Sequence, residues 1–214
     1  MGEWCADPQF FPGATGLLSD ASWDSVEPGV VGVSEQILPV PHRGVMVIGN
    51  YQASLRSYRR LLDGETRGFP TTWRVLRRLM ADVPPREVFL TNAYIGLPDV
   101  ENDTAPFPKD HAYSERCQKL LGLELELIAP RVVVCLGVPA ARMLASVASG
   151  LGAWSPWPGY AQLANTESRT VHDCTYVGRP FAAVAVAHPS AVVSTADRQL
   201  DTQLISFAAG ATCR

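Results

Sequence analysis

The chain has almost no lysine: sixteen of its eighteen basic residues are arginine, whose planar fork grips phosphate at two points. It lacks any run of eighteen apolar residues and any basic-then-apolar start, so neither a membrane span nor a secretory leader is expected. Its five cysteines, Cys5, Cys117, Cys135, Cys174 and Cys213, are odd in number, scattered and never spaced as CxxC. That spacing argues against a disulfide framework, a zinc site and an iron–sulfur cluster. A reducing, cytoplasmic location is the simplest expectation. No GxGxxG follows a strand, and neither GxxxxGK before Ser or Thr nor GxSxG occurs, which removes support for dinucleotide, P-loop and nucleophile-elbow readings. No HxExxH-type metal spacing, internal repeat or low-complexity tract is present.

What is there suits one ordinary globular domain. At 214 residues, with 47% apolar and 18% charged, the chain can bury a proper core. The net charge of -3 hides an asymmetry. Between Arg43 and Arg86 nine arginines stand against only Asp63, Glu65 and Asp82, so the remainder is strongly acidic. A basic segment on an acidic body suits a polyanion bound on one face. A solvated helical face gives the same pattern.

Residues 1–42, rich in Gly, Pro, Ser and Asp, show no sustained period and read as an irregular lead-in packed on a single domain of residues 43–214. GVMVIG (Gly44 to Gly49) reads as a buried strand. Residues 53–63 read as helical, with Leu55, Tyr58, Leu61 and Leu62 on one stripe. TTWRVLRRLM (Thr71 to Met80) is amphipathic, with Arg74, Arg77 and Arg78 outward. EVFLTN (Glu87 to Asn92) is a second strand, followed by a polar loop and a long helix from Ser114 that Pro130 ends. RVVVCLG (Arg131 to Gly137) is a third strand, and VPAARMLASVAS opens a helix with Pro139 in its first turn. A hairpin around Gly178 leads to the fourth strand, Ala182 to Ala187, and the last helix spans about Asp197 to Ala208. Strands alternating with helices predict an α/β fold: a three-layer α/β/α arrangement around a four-stranded parallel sheet.

In such sheets the ligand crevice lies outside the carboxyl ends of the strands. The first strand ends in Gly49-Asn50-Tyr51-Gln52, the second in Thr91-Asn92, and the fourth runs AAVAVAHPSAVVS into His188-Pro189-Ser190. Pro189 has no amide proton and pushes His188 out of helical geometry. His188 is therefore either a packing residue or the edge of a site. Three strands bring hydrogen-bonding side chains to one edge, and the third brings Gly137.

This constellation resembles the uracil-DNA glycosylase superfamily. The matching pieces are VMVIGNYQAS, Phe69 before TTWRVLRRL, FLTNAY, PRVVVCLGVPAARML and HPSAVV, together roughly residues 44–208. The resemblance implies a uracil-DNA glycosylase-like fold and hydrolysis of a damaged base from DNA, with water as nucleophile and no metal or cofactor. The nucleotide flips into a pocket, the sugar gains cationic character, and the base leaves as an anion. His188 fits a donor to the departing base, and Asn50 a group that holds water. Asn92 reads the base edge, Phe69 stacks on it, and Tyr51 beside Gly49 walls the pocket. Packing explains Phe69 and Tyr51 equally well, and turn formation explains Asn92. DNA contacts are expected from Ser190, Val192, Val193, Arg198, Arg74, Arg77 and Arg78. The two valines either wedge between base steps or pack on the last helix.

The first motif departs from the family's fast members, which carry a carboxylate just after the glycine. This chain has Asn50, Tyr51 and Gln52 there. A displaced acid would come from Asp63, Glu65, Asp99, Glu101 or Asp103, although such loop acids are more often simply solvated. Two alternatives follow: a weakly catalytic module that holds DNA or a flipped base, and an N-glycosidase for a free nucleoside. The expected partner is DNA with a damaged base, with no membrane and no obligate protein partner.

Overall fold

Four apolar runs line up side by side because each is apolar on both of its faces. The computed structural model describes residues 42–50, 71–84, 87–95, 111–156 and 169–211. Its strands are β1 (Val45–Gly49), β2 (Val88–Asn92), β3 (Val132–Leu136), β4 (Thr170–Tyr176) and β5 (Arg179–Val186). Its helices are α1 (Thr71–Leu79), α2 (His111–Ile128), α3 (Val138–Val147) and α4 (Thr195–Ala211), with a short 3₁₀ turn at Gly152–Trp154. The sheet order is β2-β1-β3-β5-β4, parallel throughout except for β4.

Alternation within the strands builds two cores. Met46, Ile48, Val133 and Cys135 face α2 and α3, while Val45, Val47, Val132 and Val134 face α1 and α4. Both faces are thus covered, which is why the parallel strands read as unbroken apolar runs. The chain steps from β1 to β2 in one direction and back past β1 to β3 in the other. One hand of crossover serves both steps only if α1 and α2 take opposite faces, and they do. In open α/β sheets a reversal of this kind is where the ligand crevice is expected, outside the carboxyl ends of the strands, here β1 and β3.

The sheet has five strands where the sequence predicts four. The extra strand is the first arm of the expected hairpin, which joins the sheet antiparallel to β5 and forms its edge. The arms meet through the two-residue loop Val177-Gly178, with φ of 47° and 74°. Two positive φ values mark a type I′ turn, whose twist matches that of the strands. Two helices also start earlier than predicted. α2 gains a turn at His111 because Tyr113 continues the buried stripe of Cys117, Leu121 and Leu125. Its far end is set by Ala129 at φ 45°, followed by Pro130. α4 begins at Thr195 because Ser194 caps it: its Oγ accepts from the Asp197 N–H at 3.1 Å and donates to Asp197 Oδ2 at 2.7 Å. All but the last residue of the 1–42 lead-in, and the helix read over 53–63, lie outside the described residues.

Candidate functional site

The top of the sheet is a row of strand ends. β2 ends at Asn92, opposite Gly49 of β1. The ladder then continues past the strands, with Ala93 N–H donating to the Gly49 carbonyl at 2.8 Å and Tyr94 N–H to the Asn50 carbonyl at 2.9 Å. Gly49 is required there, since a Cβ built on it collides with Oδ1 of Asn92. The bare glycine lets the Asn92 amide lie across the end of β1. β3 ends at Gly137, held by its N–H to the Val186 carbonyl at 2.8 Å. With φ of 87°, Gly137 brings its backbone against His188, whose Cβ would stand 3.4 Å from an added Cβ. Asn50 and His188 are two strand spacings apart, so their backbones stand on the order of 10 Å from each other.

His188 sits in a β-turn closed by Ala191 N–H donating to the His188 carbonyl at 2.8 Å. Pro189 takes the second position of that turn, where its fixed φ fits. The turn folds Ser190 back on the ring: its N–H donates to Nδ1 at 3.2 Å, and its Oγ lies 2.7 Å from the same atom. A nitrogen accepting a main-chain N–H carries no proton, so the neutral ring holds its hydrogen on Nε2. Burial first, and then the nearby charge of Arg198, lower the affinity of His188 for a second proton. The half-buried ring, at the carboxyl edge of the sheet, thus carries its proton on Nε2 when neutral. Asn50 is complementary: its Oδ1 is buried and accepts no hydrogen bond from any described residue.

The remaining predicted residues divide. Val192 is fully exposed and does not pack on α4, while Val193 is half-buried. Ser190 is exposed but turned to His188. Arg198, expected at a phosphate, faces inward, where its guanidinium donates to carbonyls of the turn. Arg77 and Arg78 lie in the last turn of α1. That helix starts after the carboxyl end of β1 and descends toward the amino end of β2, so both arginines flank the edge opposite the crevice. The link from Ser206 near the end of α4 to Asp82, at 2.6 Å, marks the same far end. Tyr51, Phe69, the Arg74 side chain and the acids Asp63, Glu65, Asp99, Glu101 and Asp103 lie outside the described residues.

Sequence reading missed Asp201 and Arg169, both buried and paired with each other. The signal was present, because Asp201 stands four residues before Ile205 on the apolar stripe of α4, where an acid needs a cation. It also missed Glu124. Thr91 Oγ1 donates to its two carboxyl oxygens at 3.0 and 2.9 Å, and burial pushes its pKa up to about 7. Among the described residues, no group of three His, Cys, Asp or Glu side chains is placed to hold a metal.

A family model, the Uracil DNA glycosylase superfamily, matches residues 35–207. No curated protein matches the chain.

Proposed function

The chain belongs to the uracil-DNA glycosylase superfamily, and we propose that it hydrolyses the N-glycosidic bond of uracil, or of a related deaminated base, in DNA. The observation that carries this reading is the Ser190 N–H donating to Nδ1 of His188, which leaves Nε2 to carry the proton of the neutral ring. As the bond from sugar to base breaks, its electron pair moves onto the base and negative charge gathers on the base oxygen. A fixed donor aimed at that oxygen typically contributes ~10²–10³ in rate. Water adds to the sugar carbon and gives up a proton, and the released base regains one. We assign Asn50 Oδ1, which accepts from no described residue, the role of accepting from that water and orienting it. Asn92, held over Gly49, offers both a donor and an acceptor to a uracil edge. By the family resemblance, stacking on the flipped base is assigned to Phe69 and the pocket wall to Tyr51, both outside the described residues.

Asn50 carries no charge, so it cannot stabilise the sugar cation as a carboxylate does. Excision is therefore slow, and the work falls on the departing base. Val192, fully exposed beside the His188 turn, is placed to wedge between base steps and hold the kink that flipping needs. The reaction needs no metal or cofactor, and the setting is cytoplasmic repair of deaminated DNA.

The uncharged first motif also favours a second reading, in which the same crevice holds a flipped base without cleaving it. A panel of labelled oligonucleotides, each with one modified base, separates the two when scored for alkali-labile sites. Strand breaks at uracil support the enzyme. Tight binding with no breaks at any base leaves the binding module.

A further inference from the structure

Helix α4 turns an acid into the core. Asp201 has 0% exposure and shares the stripe of Ile205 and Ala208 under the sheet. A buried carboxylate is tolerated only with partners, and two arginines provide them. Arg169, itself 4% exposed, pairs with Oδ1, and its Nε donates to the Ala185 carbonyl on β5 at 3.2 Å. Arg198 places Nη1 3.5 Å from Oδ2. The same Nη1 donates to the Ala187 carbonyl at 2.9 Å, and Nη2 is shared among the carbonyls of His188 at 2.7 Å, Ala191 at 3.0 Å and Pro189 at 3.3 Å. One guanidinium thus ties together the end of β5 and the whole turn. An ammonium, a compact point charge without the planar fork, cannot span that set.

We propose that Arg198, braced by Asp201 and Arg169, is a positioning residue for His188, fixing the turn so that Nδ1 stays on the Ser190 N–H and Nε2–H faces the crevice. The inference rests on reading His188 as the donor to the departing base. Two buried charges and a third that is only partly exposed, gathered behind one turn, are costly unless the geometry they fix is used. A tight turn could be closed by Pro189 and its own hydrogen bond alone. What the guanidinium adds is the angle at which the turn leaves the sheet, and that angle sets the direction of the ring. Arg198 also keeps a positive charge near the imidazole, which opposes a second proton there.

The test uses Arg198→Lys, which keeps the charge opposite Asp201, and Asp201→Asn, which keeps the shape. Side-chain nitrogen NMR of the labelled protein reads the His188 tautomer. Wild type should show a single form with the proton on Nε2, and both variants a mixture. Single-turnover base release should fall about tenfold to a hundredfold in each, the scale of a displaced catalytic group. In a His188→Ala background the same substitutions should cost less than about twofold, because the ring they position is gone. An unchanged tautomer in the folded variants, or a loss that persists undiminished without His188, overturns the proposal. If Asp201→Asn does not fold, Arg198→Lys decides. If wild-type protein releases no base from any oligonucleotide, the enzyme reading fails, while the tautomer measurement still decides this inference.

Discussion

The main-chain N–H of Ser190 donates to Nδ1 of His188 at 3.2 Å, and the Ser190 hydroxyl stands 2.7 Å from the same nitrogen. The main-chain bond fixes the tautomer, so the hydroxyl is a reinforcement. Ser190→Ala should therefore slow excision only about threefold to tenfold, the scale of one lost hydrogen bond. The pH profile follows from the same site. Burial and Arg198 hold the His188 pKa below the ordinary range, so the neutral ring persists until the pH falls under that lowered value. The acid limb of the single-turnover rate should have its midpoint below that of an ordinary histidine. A drop already complete by neutral pH would contradict the tautomer assignment.

Glu124 should make stability depend on pH in the opposite sense to a salt-bridged acid. Its pKa rises from an ordinary 4.5 to about 7 through burial, against a smaller opposing effect of Thr91. The folded protein thus keeps a proton that the unfolded chain has already lost. Stability falls as pH climbs from 4.5 toward 7 and levels off above. Allowing for partial exposure, the effect is about 1–2 kcal/mol. Glu124→Gln should remove that slope and unfold later than wild type in denaturant at pH 8. Parallel slopes in the two proteins would reject the assignment.

Val177 is a β-branched residue at φ 47° in an exposed two-residue turn. Such residues rarely adopt that conformation, and Asn or Gly does so readily. Val177→Asn should stabilise the protein by about 1 kcal/mol, read as a higher denaturation midpoint with no change in DNA affinity.

DNA contact should be confined to the carboxyl end of the sheet. Charge reversal at Arg77 and Arg78, beside the edge away from the crevice, should leave affinity within about twofold at low salt. Val192→Ala with Val193→Ala should weaken double-stranded binding more than single-stranded binding, because only a duplex has steps to pry apart. Equal losses on both substrates would reject the wedge.

Much of this fold was legible because parallel strands buried on both faces leave unbroken apolar runs such as VVVCL and AAVAV. The edge strand was harder to place. β4 carries His172 and Asp173 outward, and Cys174 is its only fully buried residue, so nothing in TVHDCTY says that it joins the sheet. Helix starts were missed where one side chain decided them, as Ser194 does for α4. That Asn50, Asn92 and His188 stand at strand ends along one edge of the sheet could be read directly, since topology alone brings strand ends together. The support behind them could not. Arg169 meets Asp201 across 32 residues of sequence, and Arg198 looked like a surface cation until its carbonyl partners were known.

The central claim is that His188 stabilises the departing base while Asn50 only orients water. Single-turnover release of uracil from a duplex by wild type, His188→Ala and Asn50→Ala tests it most directly. His188→Ala should lose about 10²–10³ in rate, more than Asn50→Ala, with DNA affinity within a few fold of wild type in both. Asn50→Asp, which restores a carboxylate, should run faster than wild type. A His188→Ala protein that excises at the wild-type rate, or one that loses less than Asn50→Ala, would contradict the account.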